Sequence, residues 1–158
     1  MRRVLKLAVI SVLVLAASPA LAAPSPQSTT FTVSANVIRS CTVSASDLSL
    51  GTYDPMATAD LEPATPSSVT VNCTKNTSFT IAPLTTANAF RMANGAERLN
   101  YSLYQAAGHV RDWSTSNATG TSVNVSTPVT FNVFGAVPAG QDVPGGFYSD
   151  TVTVTVTF

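Results

Sequence analysis

The residue types that most often carry catalysis are few and scattered in this 158-residue chain. The single histidine, His109, lies in the turn-like stretch AAGHVRDW and has no second histidine to complete a metal site. Eight acidic residues are spread along the chain, and no spacing selects two of them as the paired carboxylates of a glycosidase. Nucleotide-binding loops, serine-hydrolase elbows and zinc-protease helices have characteristic motifs, and none occurs here. The sequence therefore predicts no enzymatic activity, no cofactor, no metal and no small-molecule substrate.

Two aromatic side chains leave one binding chemistry open. Tyr104 and Trp113 could stack on a sugar ring, as aromatic residues do in carbohydrate-binding modules. A single tryptophan in a β-rich chain more often belongs to the core, so this is the weakest of the functional hypotheses.

The amino terminus determines the predicted compartment. A short basic region precedes an apolar run of 11 residues at 7–17, and the small-residue stretch SPALA follows. This order predicts a secretory signal peptide over residues 1–22, cleaved after Ala22. The apolar run is too short for a membrane span, which needs about 20 residues. The mature protein is then an exported single domain over residues 23–158.

The composition of the mature chain excludes one class of partner. Without residues 1–22 the chain has five basic and eight acidic residues, a net charge of −3. Nothing in this charge attracts nucleic acid or an anionic membrane surface. Charged residues are 10% of the full sequence, against roughly 25% in ordinary globular domains. Solubility must come from serine, threonine and asparagine.

The two cysteines, Cys41 and Cys73, both lie in the mature part of the chain. In an exported protein, two cysteines indicate one disulfide bond. The bond would close a loop of about 32 residues. By lowering the entropy of the unfolded chain, it would stabilise the fold by roughly 3–4 kcal/mol. A redox or metal-binding pair has no support, because no C-x-x-C motif is present.

The elements that carry these residues are predicted to be β-strands throughout. Alternation of apolar and polar residues recurs along the chain, with turn formers between the alternating runs. Asn94-Gly95 lies between two such runs and predicts a hairpin. Roughly eight short strands at regular spacing favour an antiparallel sandwich. The clearest runs are FTVSANV, SSVTVNC, TSFTIA, LNYSLY and TPVTFNVFG.

The carboxyl-terminal stretch DTVTVTVTF is predicted to be a regular strand with one apolar face, formed by Val152, Val154, Val156 and Phe158. A long, regular edge strand is a template for pairing with another chain. We therefore expect these four side chains to line an open hydrophobic groove, in a sandwich that lacks its last strand.

The amino-terminal segment 23–38 is expected to supply the strand that fills such a groove. Its Pro/Ser-rich start should be extended, and an alternating stretch follows it. In a neighbouring copy, this stretch would add as a strand, with main-chain hydrogen bonds giving affinity and pockets selecting side chains. The predicted pocket-filling residues are Phe31, Val33, Ala35 and Val37.

At this level of detail the sequence resembles the spore coat protein U domain family, which includes pilin subunits of archaic (Csu-type) chaperone–usher pili. The resemblance covers essentially the whole mature chain and depends on the order and spacing of several blocks. These are the alternating strand that leads to Cys41, LSLGTYDP at 48–55, VTVNCT at 69–74, RLNYSLY at 98–104 followed by Trp113, and GFYSDTVTVTVTF at the end.

The resemblance implies a specific architecture and set of partners. The fold would be an incomplete immunoglobulin-like antiparallel sandwich with a Cys41–Cys73 disulfide and an amino-terminal donor strand. The partners would be copies of the chain or related pilin subunits, a periplasmic chaperone and an outer-membrane usher. The subunit would pass through the periplasm to a fimbria on the cell surface.

Two positions depart from the family pattern: Gln105 follows the Y-x-L-Y block where an acidic residue is common, and Ser114 follows Trp113 where glycine is common. Both fall in predicted loops. The mature length leaves no room for an added receptor-binding domain, so a rod or minor subunit is expected rather than a tip adhesin. A spore-coat or cell-coat protein of the same fold is the main alternative, and a carbohydrate-binding module is a third.

Overall fold

A computed structural model describes residues 24–158. The predicted signal peptide, residues 1–22, lies outside the described residues. The described part of the chain is all-β and antiparallel and contains no helix, as the alternating pattern predicts. It follows that residues 24–158 offer no helix long and apolar enough to cross a membrane. The chain divides into two units after Asn36, and the sandwich belongs to the unit from Val37 to Phe158.

Twelve strands follow one another along this unit. Most are short, and the longest has eight residues. In chain order they are β1 (Cys41–Ala45), β2 (Ser67–Cys73), β3 (Thr77–Ile81), β4 (Thr85–Thr86), β5 (Arg91–Asn94), β6 (Glu97–Asn100), β7 (Ser102–Ala106), β8 (Val110–Asp112), β9 (Ala118–Ser122), β10 (Val129–Ala136), β11 (Val152–Thr153) and β12 (Val156–Thr157).

The strands form two principal sheets and two short pairs. The larger sheet has the order β1-β2-β10-β7-β8, and the smaller has the order β12-β3-β9. Strand β11 pairs with β4, and β5 pairs with β6 in a hairpin. Every pairing is antiparallel, which permits the short connections that the turn-forming residues predict.

The two principal sheets share one hydrophobic core. Strand β2 alternates buried and half-buried residues along its whole length, and its buried side chains face those of β3 from the smaller sheet. An edge-to-face contact between Phe79 of β3 and Phe131 of β10, with ring centroids 6.1 Å apart, joins the sheets directly. The predicted alternation of Leu99, Tyr101 and Leu103 is confirmed, since all three are buried.

The predicted hairpin at Asn94-Gly95 is confirmed, but its turn is displaced by one residue. Asn94 pairs with Glu97, so the two-residue loop is Gly95-Ala96 rather than Asn94-Gly95. Gly95 has a φ of 60° at the first loop position, where a type II′ turn requires a positive φ. The side chain of Asn94 is therefore not part of the turn, and it lies against Gly146.

The carboxyl-terminal strand is less regular than its sequence pattern predicts. It is divided into β11 and β12, because the opposite strand contains one more residue between Ile81 and Thr86 than the terminal strand contains between Val152 and Val156. The extra residue makes a bulge. Pro83 lies in that stretch and has no N–H to donate to a ladder.

Candidate functional site: an open apolar groove

The inner face of β1 is not covered by the opposite sheet. Val43 and Ala45 pair with Val71 and Val69 of β2 and lie on the same side of the sheet. Their β2 partners are buried, but Val43 and Ala45 are exposed. The smaller sheet therefore ends one strand short of the position that would cover β1.

The carboxyl-terminal strand forms the edge that faces this gap. Among the described residues, β11 and β12 each have a single neighbouring strand. On the side of that neighbouring strand, the carbonyl oxygens of Thr151 and Thr155 accept hydrogen bonds from Ala87 N and Ala82 N. Because alternate backbone groups of a strand point to opposite edges, those of Val152, Val154 and Val156 point toward the gap.

A groove with a volume of about 950 Å³ occupies the gap. Its floor is the hydrophobic core, and the segment after β1, the segment after β10 and the carboxyl-terminal strand contribute its sides. The apolar side chains on its surface include Leu48, Leu50, Val69, Leu84, Met92, Leu99, Leu103, Val133, Val137, Val143, Val152 and Val154.

The segment after β1 forms the second wall because it packs closely on β10. Leu48 and Leu50 are half-buried against the core. A β-carbon on Gly135 of β10 would overlap the side chain of Leu50 and lie 2.9 Å from that of Leu48. Glycine at position 135 therefore permits the close approach that holds this wall of the groove in place.

A polar network anchors the start of the carboxyl-terminal strand beneath the groove. The Tyr101 hydroxyl donates to Asp150 Oδ2 at 2.9 Å. Asn88 Nδ2 and the Thr151 backbone N–H donate to Asp150 Oδ1 at 3.0 Å and 2.9 Å. Asn88 lies in a strained turn, since the next residues, Ala89 and Phe90, have φ values of 52° and 59°.

The ionisation of this network follows from its hydrogen bonds. Burial, followed by the hydrogen bond to the Asp150 carboxylate, raises the pKa of Tyr101 far above its usual value. Burial opposes ionisation of Asp150, but hydrogen bonds from Tyr101, Thr86, the Thr151 backbone and Asn88 outweigh burial and hold the pKa of Asp150 below its usual value. Tyr101 therefore stays protonated as a donor, while Asp150 stays ionised as an acceptor.

The four predicted groove-lining residues of the terminal strand lie in three different surroundings. Val152 and Val154 line the groove. Val156 packs against the core. Phe158 is half-exposed and lines a shallow depression with Phe79. The groove-lining role of the four residues remains a prediction, and its geometry is most direct at Val152 and Val154.

The four predicted donor residues are all exposed. Phe31, Val33, Ala35 and Val37 lie in a stretch, residues 24–40, that belongs to no strand in the structure. An alternating segment with exposed apolar residues is compatible with donation to another chain, and the donor role remains a prediction. The predicted disulfide is present, with Cys41 bonded to Cys73 at the start of β1.

The aromatic candidates for sugar binding do not form a platform. Trp113 is fully buried, and its indole N–H donates to the Asn132 carbonyl oxygen at 3.3 Å. Tyr104 stacks on His109 with ring centroids 4.6 Å apart, and His109 Nε2 lies 2.8 Å from Glu62 Oε1. Within residues 24–158, no group of three or more histidine, cysteine or acidic side chains is arranged to hold a metal ion.

Sequence reasoning missed the wall at residues 48–50 and the Asp150 network. Leu48 and Leu50 alternate in LSLG, which is a usable signal for a strand-like wall. A tyrosine between two buried leucines is a second signal, because a buried hydroxyl requires a partner. No sequence signal identifies Asp150 as that partner, 49 residues away.

Fold and groove together define an all-β antiparallel protein with an open apolar site along its last strand. The model of the Spore Coat Protein U domain matches residues 27–155, and this chain belongs to that family. It is 32% identical over 144 residues to Protein U of Myxococcus xanthus, a match that covers 78% of this chain and 80% of that protein.

A solved structure is similar in fold. It is a chain in the crystal structure of the CsuC-CsuE chaperone–tip adhesion subunit pre-assembly complex from the archaic chaperone–usher Csu pili of Acinetobacter baumannii. The TM-score is 0.52 at 23% sequence identity, and the match covers 77% of this chain and 40% of that chain. The present chain thus spans about two fifths of the length of the solved chain, and the likeness shows the fold alone.

Proposed function

We propose that this chain is a structural subunit of a surface pilus, assembled by donor-strand exchange through a chaperone–usher pathway. Residues 31–37 of one copy would fill the groove of the next and pair with its carboxyl-terminal strand. The subunit would reach the cell surface through the periplasm, with copies of itself or related pilins, a chaperone and an usher as partners. Its role would be structural rather than catalytic.

The observation that carries this proposal is the groove between the segment that follows β1 and the terminal strand. It combines an apolar floor with a free backbone edge at Val152 and Val154. A small apolar ligand could use the floor but would leave the backbone groups of the edge unpaired. A strand satisfies both, because it brings side chains to the floor and hydrogen-bonding groups to the edge.

The donor segment has the properties that such a groove requires. Residues 24–38 contain no charged side chain, so insertion would bury no unpaired charge. Its apolar residues alternate with Thr32, Ser34 and Asn36, which suits one face toward the core and one toward water. The Pro/Ser-rich start favours an extended conformation before insertion.

The open groove also supports a requirement for a chaperone. A free strand edge beside an apolar surface is a site of uncontrolled pairing and aggregation. A periplasmic chaperone that occupies the groove would prevent such pairing until the usher brings two subunits together. The fold likeness to a chain of a chaperone–subunit complex is compatible with this proposal.

The test is a chain that can accept a strand but cannot donate one. Deletion of residues 23–38, with the signal and its cleavage site kept, should yield such a subunit, and co-expression with the intact chain should shorten fibres. A synthetic peptide of residues 28–38 should bind this subunit. The same peptide with Val33→Asp should not bind, whereas the matched control with Ser34→Asp, on the opposite face, should bind.

A different result would reject donor-strand exchange. If residues 31–37 were the first strand of the subunit's own sandwich, the truncated chain would unfold and would not accumulate, even with a chaperone present. The full-length chain with Val33→Asp gives a second acceptor that needs no deletion, because Val33 is exposed in the described structure. Failure of both acceptors to bind the peptide would reject the proposal.

A coat protein of the same fold is a second candidate, favoured by the description of the family as a spore coat domain. In that function, copies would associate on a spore or cell surface without a dedicated chaperone. Expression of the chain with and without a cognate chaperone separates the two candidates. A pilin should be degraded without the chaperone, whereas a coat protein should accumulate and self-associate.

A further inference from the structure

The two ends of the sandwich differ in charge. The end at the disulfide, called here the disulfide end, comprises residues 38–41, 74–76 and 122–126. These segments are held together by hydrogen bonds such as Thr74 N to Ser40 O, Asn76 N to Ser122 O and Asn72 Nδ2 to Val125 O. Its charged residues, Arg39 and Lys75, are both basic and exposed.

The opposite end, called here the loop end, comprises residues 51–62 and 141–150. It lies away from the disulfide because β1 runs from Cys41 to Ala45 before this loop begins, and the seven residues of β2 span about 20 Å. Its two segments contain five acidic residues and no basic one: Asp54, Asp60, Glu62, Asp142 and Asp150. The neighbouring β5–β6 hairpin adds two arginines and one glutamate, so the region remains acidic.

Each end also presents exposed apolar side chains. At the loop end, Met56 and Phe147 are 88% and 84% exposed. At the disulfide end, Ile38, Val123 and Val125 are exposed. Opposite charge combined with uncovered apolar side chains makes the two ends complementary to each other.

The covalent connection forces one of these ends against a neighbouring groove. Val37 is the last predicted donor residue, and Cys41 is already in β1. Four extended residues reach at most about 14 Å. Once Val37 is in the groove of a neighbour, the disulfide end of the donating copy must therefore lie close to one mouth of that groove.

From these observations we propose that successive copies contact each other through opposite ends, with the disulfide end of the donor on the loop end of the acceptor. This inference rests on the proposed function and adds an electrostatic contact outside the groove. The mouth near residues 53–55 and 145–149 offers acidic and apolar surface to Arg39, Lys75 and Val125 of the donor. At the other mouth, the acceptor's own basic end would repel the donor.

Charge reversal tests the contact through the rate of assembly. Lys75→Glu in the full chain should slow formation of SDS-resistant polymer roughly tenfold at low salt, and 0.5 M NaCl should remove most of the difference. Arg111→Glu on β8 is the matched control, with the same change in net charge at a residue outside the segments that define the two ends, and it should have little effect. Adding Asp142→Lys to Lys75→Glu should recover part of the lost rate.

Cross-linking tests the geometry directly. In polymer made from a Met56→Cys, Val125→Cys chain, a short bismaleimide should join neighbouring copies, whereas either single variant should give no cross-linked dimers. Cross-linked dimers from Val125→Cys alone would show that like ends meet and would overturn the proposal. Polymer of the double variant that is not cross-linked would also overturn the proposal. Assembly whose rate is unchanged by Lys75→Glu would do the same.

Failure of this contact can be distinguished from failure of strand exchange. The peptide of residues 28–38 lacks Arg39 and Lys75, so its binding to the full-length Val33→Asp acceptor should be the same with and without Lys75→Glu. If the peptide binds but the end-to-end results are negative, only the present inference is wrong. If the peptide does not bind at all, the proposed function is wrong first.

Discussion

Residues 31–37 and 67–73 have the same alternation of apolar and polar side chains but opposite surroundings. In β2, Val69 and Val71 are buried between the two sheets, and Val71 is 0% exposed. In the amino-terminal segment, Phe31 and Val33 are 86% and 82% exposed and belong to no strand. Alternation therefore indicates which residues share a face, but not what covers that face. A segment whose apolar face is uncovered in its own chain is a candidate for an intermolecular strand.

The largest expected effect on stability comes from placing the same charge in each of these two segments. Val71→Asp would bury an unpaired charge at a cost of several kcal/mol, against a total stability of about 5–15 kcal/mol, and should leave no folded protein. Val33→Asp, the same change in the same pattern, should alter stability by about 0.5 kcal/mol or less while abolishing polymerisation. Urea denaturation and SDS-resistant ladders measure the two effects. Equal destabilisation would show that residues 31–37 belong to the chain's own core.

The next effect compares the groove wall with the loop end. Val154→Asp places a charge on a half-buried groove residue and should cost several kcal/mol, less than Val71→Asp, with loss of periplasmic protein through proteolysis. Asp142→Ala changes an exposed loop residue and should alter stability by about 0.5 kcal/mol or less. Protein yield and thermal denaturation are the measurements. Similar losses from both variants would contradict the groove.

A smaller effect concerns the bond that ties an exposed strand to a buried one. Reduction of the Cys41–Cys73 disulfide should lower the free energy of unfolding by about 3 kcal/mol, since the bond closes a loop of 32 residues. Denaturation curves with and without reductant measure this loss. Thiol titration of the denatured, unreduced protein should find no free cysteine. Two free thiols per chain would show that the bond does not form.

The smallest effect concerns the Asp150 network, which anchors the start of the terminal strand to the buried residue Tyr101. Because the pKa of Asp150 is lower in the folded state, its stabilisation is complete above its unfolded pKa of about 3.9 and is lost as the pH falls through the folded value. Tyr101→Phe should cost about 1–2 kcal/mol at pH 7 and weaken the dependence of stability on pH below 4.

The control for this change is Tyr148→Phe. The Tyr148 hydroxyl donates to the Pro144 carbonyl oxygen at 2.9 Å, a neutral acceptor that does not titrate. Denaturation at pH 7 and pH 3 should therefore show a changed pH dependence for Tyr101→Phe only. The same pH dependence in both variants would remove Asp150 as its source.

The sequence by itself determined the fold class and the faces of the central strands. The buried sets in β2, β3 and β6–β7 follow from period-2 alternation, which records the two faces of a strand through local geometry. The two cysteines and the blocks of the family pattern were likewise sufficient to predict the disulfide, which is present. These features depend on residue type and local spacing, and both are explicit in the sequence.

Only the tertiary structure decided where a strand's face remains uncovered. The exposure of Val43, the division of the terminal strand opposite Pro83 and the hydrogen bond from Tyr101 to Asp150 all depend on residues distant in sequence. No local pattern records which strand is absent from a neighbouring sheet, or which carboxylate meets a buried hydroxyl. These contacts exist only once two sheets, connected through long loops, have packed around one core.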